Sequence, residues 1–336
     1  MANTRSMPFF DALPAWIGGK RRLAPLIFAL CVEELPRERW CDTVLLDPFS
    51  GGGAVSLYAK AQGFRVVASD VAERSAVIAR ALVANSHVRL QRDDILSLFD
   101  EPAAGYPRVA GRYVPTVFSE AQAEWIDRAL AVADRRGEPA RSLLLLVVIK
   151  LVLRLFPMSL PTATDAHRAA TGDFDGISPR RLGHYLKSRE LLTPEGVWAL
   201  AEEVNSGVFG GCGEARKGDA AEMIQSVPAD IVYLDPPYPG TTGYDKAYAV
   251  LDALLGDERP PSREPGLDEL LDAAAAAALV VLSYGGPTVT LDTLTAIVDR
   301  HRPVRRALAI PYTHLRSVAT EEKNAKNREY LVLAGR

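Results

Sequence analysis

One turn constrains this chain more than any other segment. The apolar run Val44-Leu45-Leu46 breaks into Asp47-Pro48-Phe49-Ser50-Gly51-Gly52-Gly53, and helix-forming residues follow from Ala54 to Gln62. A second apolar run, Phe64 to Ala68, ends at Ser69-Asp70, and helical spacing resumes from Glu73 to Asn85. Strand, glycine-rich turn, helix, strand and acidic residue, in that order, make the first half of a nucleotide-binding α/β sheet. Glycines allow a tight turn and close backbone approach, and the helix N-terminus behind them favours a carboxylate or phosphate. By itself Phe49-x-Gly51-x-Gly53 fits a phosphate cradle, an adenosyl site or a purely structural turn. The full dinucleotide fingerprint and the Gly-Lys-Ser/Thr loop are both absent, which disfavours NAD and ATP. Asp70 lies 17 residues past Gly53. A carboxylate there accepts both hydroxyls of a ribose, or caps the next helix.

A second α/β region is expected from near Gly218. Ala229 to Leu234 reads as a buried strand running into Asp235-Pro236-Pro237-Tyr238, followed by a helix over Leu267–Ala278 and a strand over Leu279–Ser283. Two late strands, Arg306–Pro311 and Glu329–Leu333, are expected to form an antiparallel pair. Between the halves, Ser119–Arg136 and Pro139–Phe156 read as helices. A polar loop over Pro157–Pro179 follows, then helices near Pro179–Leu192 and Pro194–Val204. The Pro-rich segment Gly256–Gly266 reads as an exposed loop, and the alanine run Ala273–Ala278 as a packed helix end.

Composition narrows the class. At 48% hydrophobic and 24% charged the 336 residues are not broadly disordered. The 39 Lys+Arg against 42 Asp+Glu give a net charge of -3, which excludes a uniformly basic nucleic-acid coat but not a local basic face. Cys31, Cys41 and Cys212 form no C-x-x-C pair, and with five histidines no zinc spacing arises. The thiols are expected reduced and buried, and no metal is expected. The apolar stretch Leu143–Phe156 is interrupted by Lys150 and Arg154 and is too short to span a bilayer, so it reads as a buried helix. Met1 to Asp11 lacks a basic region followed by an apolar one, and a cytoplasmic protein away from membranes is expected.

Asp235-Pro236-Pro237-Tyr238 carries the most specific chemistry. An exocyclic amine on a nucleobase is a poor nucleophile because its lone pair is delocalised into the ring. A carboxylate, Asp235, and the Pro236 carbonyl can each accept one N–H from such an amine, drawing it toward tetrahedral geometry with its lone pair aimed at an electrophile. The prolines stiffen the turn and leave their carbonyls without a competing N–H of their own. Tyr238 offers a ring face for a flipped base. The plainer alternative is a Pro-Pro strand end with a half-buried tyrosine.

The order Trp16-Ile17-Gly18-Gly19-Lys20, Asp47-Pro48-Phe49-x-Gly51-x-Gly53, Asp70 and Asp235-Pro236-Pro237-Tyr238 resembles the Dam-type DNA adenine-N6 methyltransferases. The likeness extends to Gly218-Asp219, Leu282-Ser283-Tyr284, His314 to Ser317 and Glu329-Tyr330-Leu331. It implies a Rossmann-like methyltransferase sheet, mostly parallel with an antiparallel last strand, and an inserted, mainly helical target-recognition domain. The corresponding domains are residues 1–98 and 211–336 for the methyltransferase and 99–210 for the insertion. S-Adenosylmethionine is the implied cofactor. Trp16 and Lys20 would contact its methionine end, with Lys20 on the carboxylate. Asp47, Phe49, Gly51 and Gly53 would line it, Asp70 would hold the ribose, and Asp219 would sit near the adenine. Asp235 would face both cofactor and target amine. Without the resemblance, Lys20 reads as a solvated member of Lys20-Arg21-Arg22.

The implied partner is double-stranded DNA, bound by a monomer, with a dimer as the alternative. Residues 100–212 hold 13 Lys+Arg and 14 Asp+Glu, so the insertion is not basic overall. Arg180-Arg181-Leu182-Gly183-His184-Tyr185-Leu186-Lys187-Ser188-Arg189 nevertheless carries four cations and no acid. Arg180, Arg181, Lys187 and Arg189 are therefore phosphate-contact candidates, against an ordinary solvated helix face. The loop Pro157–Ser178 is the candidate base reader. Arg316, with Lys323, Lys326 and Arg328, forms a third basic element. The expected activity is site-specific methyl transfer to adenine N6, in a restriction-modification or defence setting. An RNA amino-methyltransferase and a catalytically silent nucleic-acid-binding homologue are the alternatives. A C5-cytosine mechanism needs a nucleophilic cysteine, commonly after proline, and no Pro-Cys occurs.

Overall fold

The apolar runs expected as strands pair into one sheet. The structure, a computed structural model, describes residues 7–33, 35–100, 109–114, 117–155, 190–238, 244–257, 259, 265–285, 289–311 and 328–336. In chain order the strands are β1 (Val44–Asp47), β2 (Arg65–Asp70), β3 (Cys212–Lys217), β4 (Ile231–Leu234), β5 (Leu279–Gly285), β6 (Val304–Pro311) and β7 (Arg328–Gly335). Across the sheet they run β3-β2-β1-β4-β5-β7-β6. The five from β3 to β5 are mutually parallel, and β7 is antiparallel to both β5 and β6. This is the mostly parallel sheet with reversed last strand that the sequence implied.

The central strands β1 and β4 are buried on both faces, which is why they read as unbroken apolar runs rather than alternating ones. Leu45, Leu46 and Leu234 are fully enclosed, each contributing roughly 1.5–3 kcal/mol of burial. From β1 the order steps outward through β2 to β3, and then returns to β4 on the other side of β1. The border between β1 and β4 is therefore the topological switch point, where α/β sheets bind ligands beyond their strand ends. Antiparallel β7 has a further consequence. Its first residues lie at the edge where the parallel strands end, with Glu329 opposite Gly285 and Leu331 opposite Ser283.

Three expectations need correction here. The second α/β region begins before Gly218, because β3 precedes it and pairs with β2 from Cys212↔Arg65 to Lys217↔Asp70. As an edge strand of sequence CGEARK it has no apolar alternation to announce it. The segment Gly256–Gly266 is not simply exposed: the Asp257 side chain is 4% exposed and accepts the Glu73 N–H at 2.8 Å and the Lys217 ammonium at 3.1 Å. That bond caps the helix Glu73–Ile78, which continues as a π-helical turn to Ala84. The cysteines are also not uniformly buried. Cys31 is, and burial pushes its thiol up to about 12, whereas Cys41 and Cys212 are exposed. The alanine run does pack: the helix Leu267–Ala273 passes into a 3-10 turn whose Ala274 is buried, and Arg302 donates to the Ala274 carbonyl at 2.9 Å.

The chain divides into two compact units. One takes in the described residues of Trp16–Ser86, Phe209–Ala247 and Asp257–Arg336 and contains the sheet. The other takes in those of Met1–Ala15, His87–Val208 and Tyr248–Gly256, and is helical. Within it the helix Glu120–Asp134 starts at a capping box between Ser119 and Gln122, and packs on the helix Ala140–Leu155. The latter is the expected buried helix. Its Lys150 is tolerated because the ammonium donates to the carbonyls of Asp11, Ala12 (3.2 Å) and Leu13 (3.4 Å) and pairs with Glu203 at 2.9 Å. Glu203 also receives Arg154 at 2.7 Å, and lies on the helix Pro194–Ser206. Among the described residues no helix is long and apolar enough to cross a membrane.

Candidate active site

The glycine turn is shaped by what stands over it. Gly51 and Gly53 have φ of +48° and +75°, conformations that side chains disfavour. At Gly52 the obstacle is Trp16: a Cβ there would lie 2.8 Å from Trp16 Cγ and 2.9 Å from its Cβ. The turn is also tied to the end of β2. Ser50 N–H donates to the Ser69 carbonyl at 2.9 Å, and Gly51 N–H donates to Asp70 Oδ2 at 2.9 Å. Asp70 Oδ1 accepts the Ala72 N–H at 2.9 Å. Burial, opposed by these amide bonds, holds its carboxyl above the ordinary range. The single Asp70 carboxylate thus orders both the turn and the entry to the helix Glu73–Ile78.

Asp47, the last residue of β1, is 2% exposed. Its Oδ2 accepts Ser56 Oγ at 2.6 Å, while Oδ1 has no partner among the described residues. Burial, reinforced by the charges of Asp235 and Asp70 and opposed by Ser56, pushes Asp47 up to about 7. Ser50 Oγ and Ser69 Oγ are likewise buried without a partner among the described residues. Phe49 packs partly buried against the apolar cluster of Leu46, Val67, Ile224 and Tyr238. Asp219 caps the helix Ala220–Ser226, accepting the Ala221 N–H at 2.9 Å and the Glu222 N–H at 3.3 Å, all on Oδ1.

At the end of β4, Asp235 is the centre of an ion cluster. Lys20 Nζ lies 2.9 Å from Asp235 Oδ1 and 3.2 Å from Glu329 Oε1, and donates to the Gly18 carbonyl at 3.2 Å. Tyr238 OH lies 3.1 Å from that ammonium, 3.0 Å from Asp235 Oδ1 and 2.8 Å from Glu329 Oε1. Ser283 Oγ, at the end of β5, donates to Glu329 Oε1 at 2.5 Å. Lys20 is 5% exposed and Glu329 0%, so Lys20 is not the solvated cation of a basic run. An ammonium is held at this depth because two carboxylates and a carbonyl replace its water. Burial, opposed by Lys20 and reinforced by Glu329, holds the Asp235 carboxyl above its usual range. Burial and the same two carboxylates keep the Tyr238 phenol protonated, well above its ordinary value.

Asp235 is held on one side only. Every contact of its carboxylate among the described residues falls on Oδ1, and the side chain is 19% exposed. Tyr238, by contrast, is 9% exposed and packs its ring on Tyr284 at 5.0 Å, so in this conformation its face is covered. Trp16, Lys20, Asp47, Phe49, Gly51, Gly53, Asp70, Asp235, Pro236, Pro237 and Tyr238 thus meet around the ends of β1, β2 and β4, and Asp219 follows β3. Glu329 and Ser283 had no assigned role in the sequence. The signal was there for Glu329, an acid heading the apolar strand Tyr-Leu-Val-Leu. Arg180, Arg181, Lys187, Arg189, Arg316 and the loop Pro157–Ser178 lie outside the described residues. Among the described residues no group of three or more His, Cys, Asp or Glu forms a metal site.

Comparison with known proteins adds two findings. A family model described as D12 class N6 adenine-specific DNA methyltransferase matches residues 16–108. The chain is also similar to the Type II methyltransferase M2.HphI of Haemophilus parahaemolyticus, 26% identical over 340 residues, covering 95% of this chain and 96% of that protein.

Proposed function

We propose that this chain is an N6 adenine-specific DNA methyltransferase, a reading supported by its motifs, its sheet, the matching family model and the similar Haemophilus parahaemolyticus protein, and that it methylates adenine within a specific site of double-stranded DNA with the methyl group of S-adenosylmethionine. The observation that carries the reaction is the one-sided anchoring of Asp235. With Oδ1 held by Lys20 and Tyr238, Oδ2 accepts one N–H of an adenine amine flipped out of the duplex, and the Pro236 carbonyl accepts the other. The amine lone pair is then directed away from its own ring. When bound, S-adenosylmethionine would supply the methyl from a cationic sulfonium and leave as a neutral thioether, and the amine, cationic after the transfer, would then give one N–H proton to Asp235 or to water, so it needs no prior deprotonation. Stacking of the base on Tyr238 requires its ring to turn out from Tyr284.

The residues at the glycine turn fit such a cofactor. A buried polar atom without a partner costs about 1–3 kcal/mol. Among the described residues, Asp47 Oδ1, Ser50 Oγ and Ser69 Oγ are three such atoms. They offer both acceptor and donor capacity where an adenosyl amino acid presents ammonium, carboxylate and ribose hydroxyls. Asp70 keeps acceptor capacity beyond the bonds from Gly51, Ala72 and the Ser75 hydroxyl. Trp16, Phe49, Gly51, Gly53 and Asp219 complete the proposed cofactor set, and Lys20, its ammonium engaged by Asp235, Glu329 and the Gly18 carbonyl, is assigned to anchoring Asp235 rather than to the cofactor carboxylate.

Residues 99–210 are proposed as the target-recognition insertion of a methyltransferase formed by 1–98 and 211–336. Arg180, Arg181, Lys187, Arg189 and Arg316 would take DNA phosphates. The name of the Haemophilus parahaemolyticus relative, a Type II methyltransferase, supports a restriction-modification setting. A cytoplasmic monomer suits that role.

Labelled methyl transfer to duplex DNA and to RNA, with mass analysis of the nucleosides, tests the proposal. N6-methyladenine in duplex DNA is the expected product, and modification of RNA alone refutes it. Asp235→Ala is expected to lower turnover by about 10²–10³-fold or more, with S-adenosylhomocysteine still bound.

A further inference from the structure

We propose that Glu329 is a positioning residue for the transfer reaction: its carboxylate shares the Lys20 ammonium with Asp235 and thereby sets how tightly the catalytic carboxylate is held. The inference rests on the reaction assigned to Asp235 above.

The geometry shows a device rather than a chance contact. Glu329 Oε1 collects three donors, Ser283 Oγ at 2.5 Å, Tyr238 OH at 2.8 Å and Lys20 Nζ at 3.2 Å. Two of them also serve Asp235 Oδ1: Lys20 pairs with it, and the single phenol proton of Tyr238 is shared between it and Glu329. Glu329 therefore touches both supports of the catalytic carboxylate without touching that carboxylate. It reaches them because β7 runs antiparallel, which brings the start of that strand to the edge where β4 and β5 end. A parallel strand in the same place would begin at the opposite edge. Opposite Glu329 the chain has Gly285, where an added Cβ would lie 3.1 Å from Glu329 Oε2 and 3.0 Å from Tyr238 Cε2. The space is filled by the two side chains that form the support.

The charges explain why sharing matters. One cation, Lys20, stands between two carboxylates. With Glu329 neutral, Lys20 would have one ionic partner and would close fully on Asp235. An incoming amine, itself uncharged, would then donate to a carboxylate already neutralised by an ammonium. With Glu329 ionised, the Lys20 charge is divided and Asp235 keeps acceptor strength on its outer oxygen. Among the described residues, the other titratable groups facing Asp235 are Tyr238 from the same turn, Tyr233 from β4 and Asp47 from β1, and none of these three supplies positive charge.

The test is the carboxyl titration of Asp235, followed by carbon-13 NMR in the full-length protein without cofactor or DNA. Glu329→Gln keeps the size of the side chain and removes the charge. It is expected to move the Asp235 titration to lower pH, since Glu329 holds that carboxyl up. Turnover at neutral pH is expected to fall about tenfold or more, with KM for DNA little changed. Glu329→Asp retains the charge on a shorter stem, serves if the glutamine variant does not fold, and is expected to give a smaller shift in the same direction with partial recovery of turnover. An Asp235 titration unmoved by both variants, or wild-type turnover in Glu329→Gln, overturns the proposal. Failure of the wild-type protein to methylate DNA adenine refutes the assigned reaction instead, and leaves the titration to decide the Glu329–Lys20 coupling on its own.

Discussion

Replacing Gly52 by Ala places a methyl group where Trp16 already stands. The added Cβ would be 2.8 Å from Trp16 Cγ, 2.9 Å from its Cβ and 3.2 Å from Cδ1. Carbon pairs sit best at about 3.5–4.0 Å, so the closest contact is short by roughly 0.7–1.2 Å. Gly52 is not among the glycines with positive φ, and its backbone accepts alanine. The cost is therefore the displacement of Trp16 or of the turn, about 1–3 kcal/mol by the usual penalty for overpacking. Because the obstacle includes Trp16 Cβ, the partner substitution is Trp16→Gly rather than Trp16→Ala. In the Trp16→Gly background, Gly52→Ala is expected to cost under about 0.5 kcal/mol, giving a coupling of roughly 1–2 kcal/mol in the double-mutant cycle. Urea unfolding followed by circular dichroism measures all four corners. An equal cost of Gly52→Ala in both backgrounds would refute the assignment of Trp16 as the reason for glycine at this position.

Two further substitutions probe the carboxylates around the site. Asp47 has a folded pKa raised from 3.8 to about 7, so the folded state binds the proton more tightly than the unfolded one. Its protonated form favours folding below the unfolded value, and that advantage is lost as pH rises through the folded value. Asp47→Asn is thus expected to gain stability relative to wild type as pH rises from 4 to 7, with a constant gap above that range. Urea unfolding at a series of pH values reads the gap, and a pH-independent difference would contradict it. Asp257→Ala removes the acceptor of the Glu73 N–H and the partner of Lys217, and is expected to cost about 1–2 kcal/mol at pH 7. Faster hydrogen exchange at the start of the helix Glu73–Ile78 should accompany it, and unchanged exchange there would remove the capping role.

Much of the fold is legible because the central elements are locally encoded. Val44–Leu46 and Ala229–Leu234 are apolar without alternation because they are covered on both faces. Ser119 with Gln122 announces a helix start through bonds spanning three residues. β3 escaped because an edge strand with Glu214, Arg216 and Lys217 carries no apolar period. The composition of Gly256–Gly266 is that of a surface loop, whereas the partners that bury the Asp257 side chain lie 40 and 184 residues away.

The amino-acid sequence by itself determined the strand–turn–helix units, the glycine turn and the Asp-Pro-Pro-Tyr motif, since each depends on backbone preferences and side-chain chemistry within a few residues. Tertiary structure alone decided what the motif residues touch. Lys20 and Tyr238 are 218 residues apart and Tyr238 and Glu329 are 91 apart, and no local pattern relates them. They meet because parallel β4 and β5 end at the edge where antiparallel β7 begins. Once buried there, an ammonium and two carboxylates must pair with one another, as water is no longer present to solvate them.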